Sequence, residues 1–583
     1  MTPAPTASTG TPGRTPLVRA LRLVLLAAPV AAALLLPAPG AWAQAQEPPP
    51  ERIFVEGRVW TADDGIPAAT AFAVGDGRFI AVGSDAGIRA LAGPETEVVS
   101  LEGRRVVPGF NDAHWHFPSR PSVSLEGAAT VVEIRRRLTR FAEALPPEAW
   151  LVGRGWTPTD FPGNEPHRQY LDDVVPDRPV ILTDRDGHQA LVNGVALERA
   201  GIDGETPDPE DGRIVRGPEG RPSGLLQEAA AGLVRDLLPR PSAEEVHAAL
   251  LAEMEKAASF GITSVQNASS GGLGARELAA IRRALDDGTM TVRWRAAVPF
   301  ERDPSEERLR ELAALRDAWD GPILRTGIAK GMLDGTVDAR TAAMLEPYVG
   351  GGTGLPMWTQ EELDRAVAAY DRAGLQVQLH AIGDRAIRMA LDAFEHARAV
   401  NGPRDHRHRI EHVEVPAEED LPRFRELGVV ASTQAVFATP DATALESYAP
   451  LLGPERMRRA NDFRQFDEAG AVQAFGSDYP VFTMDPLRGI WTAVTRQLPD
   501  GTPPGGWNPE GCISVEAALR HYTRDAAWAE FAEEEKGRIA PGLRADFVVL
   551  SHDIVEGGEE ALAEARVVET WLGGRRTFRA GGR

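Results

Sequence analysis

The sequence predicts an α/β protein built on a TIM-like (β/α)8 barrel, with a composite β-sandwich domain formed by segments from both ends of the chain. Apolar strand-like segments alternate with helical segments through the middle of the chain, which is typical of a parallel barrel. Short β-rich runs with tight turns stand on either side of that middle region. At 583 residues, the chain exceeds one ordinary domain and has room for both parts.

Eight segments of the middle region are predicted to be barrel strands. They cover residues 105–110, 263–266, 292–298, 323–331, 376–380, 408–413, 429–434 and 471–476. Helices are predicted between some of them, at residues 243–259, 359–373 and 384–399. The alternative fold, an open doubly wound sheet, requires a glycine-rich phosphate loop after its first strand. The sequence has no such loop there, and we therefore favour the barrel.

The N-terminal residues 1–43 have the pattern of a secretory signal peptide. Arginines precede an apolar run at 23–35, and a small-residue cleavage pattern follows at 41–43. The alternative is a membrane anchor, but the run is short for a span. We expect an exported protein, periplasmic or extracellular, with no stable membrane anchor after cleavage. A proline-rich linker follows at 44–50, and Cys512, the only cysteine, allows no intramolecular disulfide.

The two ends of the mature chain are predicted to build one β-sandwich. Residues 51–106 contain short strands and an Asp-Gly hairpin turn at 76–77, and residues 537–583 continue the same pattern. The barrel is then inserted between them, at residues 107–536. A long insertion at about 117–241 separates its first two strands.

The overall charge restricts the classes of partner. A formal net charge of −22 argues against nucleic acid, because binding to phosphates requires a basic surface. A small-molecule substrate is therefore expected. The sequence leaves open whether the chain forms an oligomer.

Two histidines at the end of the first predicted barrel region indicate a metal site. His114 and His116 are two positions apart, so on a strand they point to the same face. The carboxyl-terminal end of a barrel strand is where catalytic metals are held. The alternative is a chance His-x-His pattern on a half-buried strand.

Further polar residues end later strands of the predicted barrel. They are Lys330, His380, His412 and Asp478. Each has an ordinary structural alternative, such as a solvent-facing histidine or a helix-capping aspartate. Together with the first two histidines, however, they form the imidazole and carboxylate set that zinc and related cations prefer.

Lysine is rare in this chain. Only Lys256, Lys330 and Lys536 occur among 63 basic residues, so nearly every surface cation is arginine. Each remaining lysine is a candidate for a role that arginine cannot fill, because lysine can lose its proton when buried.

The motifs at these strand ends resemble those of the amidohydrolase superfamily, and in particular of its family-3 branch. The resemblance covers nearly the whole chain after the signal peptide. It is carried by PGFNDAHWH at 108–116, DGT at 334–336, QLHAIGD at 378–384, RIEH at 409–412, GSDYP at 476–480 and GRIAPGLRADF at 537–547.

The resemblance implies how metals would be held. His114 and His116 would bind the more buried of two divalent ions, and His380 and His412 would bind the second; the ligand type indicates zinc. A carbamylated Lys330 would bridge the two. Because some members of the superfamily use one metal or another bridge, Lys330 acting as a free amine is the alternative.

The resemblance also implies a hydrolytic mechanism. Asp478 would bind metal and act as general base toward a metal-bound hydroxide, which attacks a carbonyl carbon. We expect hydrolysis of a C–N bond of the amide or formamide type. The alternatives are hydrolysis of a C–O bond, deamination, or a catalytically silent barrel that only binds metal.

Three residues of the predicted insertion are candidate substrate-binding residues. His188 matches a branch motif and would stabilise an oxyanion. Glu228 also fits the branch pattern, and Trp156 would line the pocket. Their structural alternatives are a core histidine, a helix-start carboxylate and core packing. His406 and His408 are expected to be solvated.

Overall fold

A computed structural model describes most of the chain. The described residues are 48–117, 120–125, 127–185, 189–209, 212–269, 272–441 and 443–581. The predicted signal peptide lies outside them. None of the helices in this part of the chain is both long enough and apolar enough to cross a bilayer.

The centre of the molecule is an eight-stranded parallel barrel, as the sequence predicts. In chain order its strands are Phe110–Trp115, Ile262–Asn267, Arg293–Pro299, Leu324–Met332, Gln376–Ala381, Arg409–His412, Val430–Gln434 and Gln473–Gly476, and each is hydrogen-bonded to the next. Nearly every residue on them is buried, as expected for a parallel sheet covered by helices.

Helices cover the outside of the barrel. They are Ala243–Ser259, Ala275–Asp286, Glu306–Ala318, Gln360–Arg372, Asp384–Asn401, Leu421–Leu427, Ala449–Arg459, Arg464–Ala469, Pro486–Thr495, Val515–His521 and Arg524–Ala529. The first begins at a capping box in which Ser242 and Glu245 satisfy each other's backbone N–H groups. A cap of this kind stabilises a helix by about 0.5–2 kcal/mol.

The barrel closes between its last and first strands at the predicted metal motif. The backbone N–H of Asp478 donates to the carbonyl of His114 at 2.7 Å, and that of His116 donates to Tyr479 at 2.9 Å. A side chain at Gly476 would place its Cβ 2.4 Å from the backbone nitrogen of His114. Glycine there allows the two strands to approach and brings Asp478 beside the histidines.

The β-sandwich combines strands from both ends of the chain. One sheet contains Arg58–Trp60, Ala68–Ala69, Arg105–Pro108, Phe547–Leu550, Val567–Leu572 and Arg575–Arg579; the other contains Arg52–Val55, Ala71–Gly75, Arg78–Gly83 and Glu97–Ser100. Phe54, Phe72, Phe547 and Trp571 pack between them with ring centroids about 5 Å apart. Two short helices, Asp85–Arg89 and Gly558–Glu564, complete these segments.

The predicted strand at 105–110 is wrong in its extent. Residues Arg105–Pro108 belong to the β-sandwich, and the first barrel strand begins at Phe110. The chain passes between the two at Gly109, where any Cβ would lie within 2.2 Å of the Thr263 side chain. A continuous apolar run conceals this change of sheet, because both strands are fully buried.

The segment between the first two barrel strands forms its own layer. Its six-stranded sheet contains Val123–Ser124, Leu151–Trp156, Val180–Asp184, Gln189–Val192, Gly212–Arg216 and Pro222–Glu228. The helices Val131–Glu143, Gln169–Asp172, Gly194–Ala200 and Ala229–Arg235 pack on it.

Candidate active site

A cavity of about 290 Å³ lies at the carboxyl-terminal ends of the barrel strands. Six of the residues singled out from the sequence line it: His114, His116, Lys330, His380, His412 and Asp478. They come from the first, fourth, fifth, sixth and eighth strands or from the residues that follow them. The parallel barrel is what brings side chains so distant in sequence to one place.

Asp478 is the centre of this group. Its Oδ1 lies 3.2 Å from Nε2 of His114 and 2.6 Å from Nε2 of His116. The His412 ring lies 4.8 Å from that of His114 and 4.4 Å from that of His380, between centroids. Donor atoms of His114, His412 and Asp478 all lie within 4.8 Å of one another, which is the spacing of metal ligands.

Glu411 fixes the orientation of His114. Its Oε2 accepts a hydrogen bond from Nδ1 of His114 at 2.5 Å, and both side chains are fully buried. Its other oxygen accepts from Nε of Arg409 at 3.0 Å. Although burial opposes it, Arg409 and His114 hold the pKa of Glu411 at about 2. Because Nδ1 of His114 is held by Glu411, Nε2 is the nitrogen that faces the cavity and Asp478, as in metal-binding histidines.

His380 and His412 are held in the neutral state. Burial, with Lys330 adding to it, lowers the pKa of His380 to about 3. Burial also lowers the pKa of His412, and His380 lowers it further. Neutral imidazoles offer the lone pairs that a cation needs.

Lys330 is buried in the same group. Burial lowers the pKa of its amine to about 8, even though the carboxylates of Glu411 and Asp478 favour the charged form. A substantial fraction of this amine is therefore neutral near pH 8, and only a neutral amine is a nucleophile.

Two site residues have strained backbones. His412 and Asp478 have positive φ angles of 74° and 56°, and Val413, which follows His412, has a φ of 50°. Such conformations cost about 1–3 kcal/mol each in non-glycine residues and are concentrated at functional sites.

Asp112, part of the first motif, joins the first and last strands. It accepts from the backbone N–H of His114 at 3.1 Å, from that of Ser477 at 2.9 Å, and from the Ser477 hydroxyl at 2.6 Å. Its contribution is thus to place His114 and Asp478 relative to each other. The sequence motif contained Asp112 and Glu411 but did not indicate what they contact.

The structure does not bring the candidate substrate residues Trp156 and Glu228 to this cavity. Trp156 is fully buried among apolar side chains of the insertion, with Nε1 donating to Leu182 at 2.7 Å. The indole packs in the core of the insertion and does not line the active-site cavity, so the expectation that Trp156 lines the pocket is corrected. Glu228 is exposed where a strand of the insertion meets a helix. His188 lies outside the described residues.

A second ligand-spaced group lies at the opposite end of the barrel, among the described residues. It consists of Asp371, His406 and His408. His408 precedes the sixth strand and is buried, so the expectation that it is solvated is wrong.

The donor set of the main cavity fits a divalent metal. His412 Nδ1 is buried without a hydrogen-bond partner in the described part of the chain. A buried polar atom without a partner costs about 1–3 kcal/mol, unless something absent from the polypeptide satisfies the group. Imidazole and carboxylate are the ligands of zinc and related ions.

The sequence and the fold of this chain are similar to those of known proteins. Residues 97–578 match the amidohydrolase family. The chain is 34% identical over 539 residues to Protein LONG AFTER FAR-RED 3 of Arabidopsis thaliana, covering 90% of this chain and 91% of that one. It is 27% identical over 546 residues to N-substituted formamide deformylase of Arthrobacter pascens, covering 90% and 97%. The crystal structure of an uncharacterized metal-dependent hydrolase from Pyrococcus horikoshii OT3 matches with a TM-score of 0.69 and 25% identity, over 87% of this chain and 99% of that chain. The chain belongs to the amidohydrolase family.

Proposed function

We propose that this protein is an exported, metal-dependent hydrolase that cleaves a non-peptide C–N bond of the amide or formamide type. The observation that carries the proposal is the convergence of four histidines, Asp478 and Lys330 in one cavity of an amidohydrolase barrel. Its similarity to a protein named as a formamide deformylase supports the choice of bond.

His114, His116, His380, His412 and Asp478 would hold about two divalent ions, most simply zinc. When bound, such ions lower the pKa of a coordinated water and polarise a substrate carbonyl. Lys330 would join them as a carbamate: its neutral amine adds CO2 and releases one proton. An ammonium group at that position would instead repel the cations.

Asp478 is the proposed general base. It is buried at 6% exposure, and although burial raises its pKa, the neighbouring histidines His114 and His116 hold that pKa well below its ordinary value. The carboxylate is therefore ionised at neutral pH and ready to accept the proton of the attacking water. It then delivers that proton to the leaving nitrogen, which departs as an amine.

Orientation of the base and ligands comes from the surrounding hydrogen bonds. Glu411 holds His114, and Asp112 holds Ser477, the residue before Asp478. His188, on the basis of the family resemblance, is proposed to stabilise the oxyanion, and a His188→Ala variant should lower turnover without lowering metal content.

The test is metal analysis followed by a substrate panel. Protein purified without chelator should contain about two divalent ions per chain by elemental analysis. It should then hydrolyse formamides or simple amides faster than matched esters, lactones and aminopurines. A metal-free preparation that remains active contradicts the proposal, and preferential ester hydrolysis or deamination contradicts the choice of bond.

Export has a separate test. Intact-mass measurement of protein recovered from the native host should give a chain that begins after about residue 43. A cytoplasmic chain that begins at Met1 contradicts this part of the proposal.

A further inference from the structure

The active-site cavity has a second polar wall that the proposed chemistry does not use. Asp338, in the loop after the fourth barrel strand, and Glu414, two residues beyond His412, both line it. Glu414 is only 1% exposed, and its Oε2 has no hydrogen-bond partner in the described part of the chain. A buried carboxyl in this state lacks the partner that its burial requires.

Both carboxyl groups line the same cavity without a basic partner in the part of the chain that the structure describes. Among the described residues, no lysine, arginine or histidine is ion-paired with either group. A third carboxylate of the cavity, Asp441, differs in being paired with Arg185 at 3.4 Å.

Aromatic rings form the adjoining surface. Phe437 and Phe482 lie 5.0 Å apart between centroids, and Trp507 also lines the cavity. All three are half-buried, so their faces can meet a ligand. Aromatic ring faces attract cations. An organic ammonium group suits such a wall because its positive charge is attracted to the rings and its alkyl groups pack against them.

A metal ion is a poorer occupant of this wall than an organic cation. Neither Asp338 nor Glu414 belongs to a ligand-spaced group in the described part of the chain. Hard cations require several oxygen ligands at short range, whereas a bulky ammonium needs only nearby negative charge and ring faces.

We propose that the substrate carries an organic cationic group, and that Asp338 and Glu414 recognise it beside the aromatic wall of Phe437, Phe482 and Trp507. The substrate class is then a cationic amide, with its charge at the end away from the scissile bond. This inference rests on the proposed function, because it places the amide of the same molecule at the histidines.

Binding tests the recognition without relying on turnover. Benzyltrimethylammonium is a suitable probe, because it can neither ligate a metal nor lose a proton, and benzyl alcohol is the neutral control. Calorimetry on the protein as purified should show the cation binding at least about tenfold more tightly than the alcohol. Absence of cation binding, or equal affinities, overturns the inference.

Matched variants locate the recognition. Asp338→Asn keeps the shape of the side chain and should remove most of the preference for the cation. Asp303→Asn changes the net charge equally at an exposed position before a helix, and should leave the preference unchanged. If both variants behave alike, the overall charge of the chain is responsible and the proposed site is wrong.

A pair of substrates separates this inference from the proposed function. N-Benzylformamide and its para-(trimethylammonio)methyl derivative differ only in the added cation. A higher kcat/KM for the cationic amide, reduced by Asp338→Asn, is the expected result. Equal hydrolysis of both sinks the cation inference and leaves the amidohydrolase function standing, whereas tight cation binding with no hydrolysis of either amide sinks the function alone.

Discussion

Two groups of histidine and aspartate with ligand spacing lie at opposite ends of the same barrel. His114, His412 and Asp478 meet at the carboxyl-terminal ends of the strands, and Asp371, His406 and His408 meet near the amino-terminal ends. Residue type and spacing do not distinguish them. The difference lies in which atoms already have partners.

At the amino-terminal end, Nδ1 of His408 and Nδ1 of His406 already accept hydrogen bonds, whereas Nε2 of His406 has no partner in the described part of the chain. The backbone N–H of Val377 donates to His408 Nδ1 at 3.1 Å, so the proton of a neutral His408 is on Nε2, which donates to Asp371 at 3.1 Å. Arg404 places its guanidinium 2.8 Å from the same Asp371 oxygen, so positive charge is already present. This group is a polar network that holds helices and strands together.

At the carboxyl-terminal end, the protein leaves donor atoms available. Glu411 accepts a hydrogen bond from the Nδ1–H of His114, and His412 Nδ1 has no partner in the described part of the chain. Histidines and aspartates with this spacing therefore indicate a metal site when the nitrogens that face the cavity are available and a carboxylate orients the ring. They indicate a structural network when backbone N–H groups and arginine occupy the ring nitrogens and the carboxylate.

The largest expected difference between the two ends is catalytic. Asp478→Asn keeps the size of the side chain but removes the base, so turnover should fall on the order of 10²–10⁴-fold. Asp371→Asn should leave turnover per folded molecule unchanged. Steady-state kinetics on both variants, with metal content measured in parallel, decides the matter. A fall of less than about tenfold for Asp478→Asn with metal retained would assign the base to another residue.

The next largest expected effect is the loss of metal when Lys330 is replaced. Lys330→Ala removes the carbamate, so metal and activity should be lost together, and short carboxylic acids should restore part of both. Lys330→Arg should be as damaging, because arginine stays protonated. Lys536, which pairs with Glu530 at 2.7 Å, provides the control, since Lys536→Arg keeps that charge pairing.

A crystal of the metal-loaded protein gives a direct check on Lys330. Density for a carboxylate on its amine is the expected result. A bare amine beyond hydrogen-bonding distance of any metal would end the carbamate proposal, while leaving the histidine and Asp478 assignments intact.

Loss of the Glu411 charge, which orients His114, should have a smaller effect on metal affinity. Glu411→Gln keeps the shape but removes the charge beside His114, and metal affinity should fall about 10–100-fold. His408→Gln, at the other end, should leave it unchanged while lowering thermal stability. Chelator competition measures the first quantity and thermal unfolding the second. Equal metal affinity in Glu411→Gln and the wild type would show that Glu411 has only a structural role.

The contrast also shows what the sequence could predict. The barrel follows from strand and helix periodicity, and the cavity histidines follow from their position at strand ends, which a parallel barrel must bring together. The roles of Glu411 and Glu414 depend on contacts with residues far away in sequence, so their local patterns could not indicate them. Trp156 shows a further limit of sequence-based prediction. A tryptophan in a core and one that lines a pocket have the same local sequence pattern.

His521, a histidine outside both groups, supplies the last test and the smallest expected effect. Each of its ring nitrogens contacts a carboxylate. Nε2 of His521 lies 3.1 Å from Asp467, and Nδ1 lies 2.9 Å from Asp525. Burial would lower the pKa of His521, but hydrogen bonds to these two carboxylates raise it to about 9, against 6.5 for a free histidine. With no lone pair free, this imidazole should act as a structural cation and not as a ligand.

The sign of its pH dependence follows from that raised pKa. The folded state binds the proton more tightly than the unfolded state, so the stabilisation is fully present below pH 6.5 and is lost as the pH rises through about 9. Unfolding free energy should fall by about 1–2 kcal/mol between roughly pH 7 and 8.5 through this group. His521→Gln should flatten that slope, whereas His247→Gln, which replaces a buried helical histidine near the carbonyl of Ala280, should retain it. Denaturant titrations across this range measure the slopes, and identical slopes in the wild type and His521→Gln would show that the proton of His521 contributes nothing to stability.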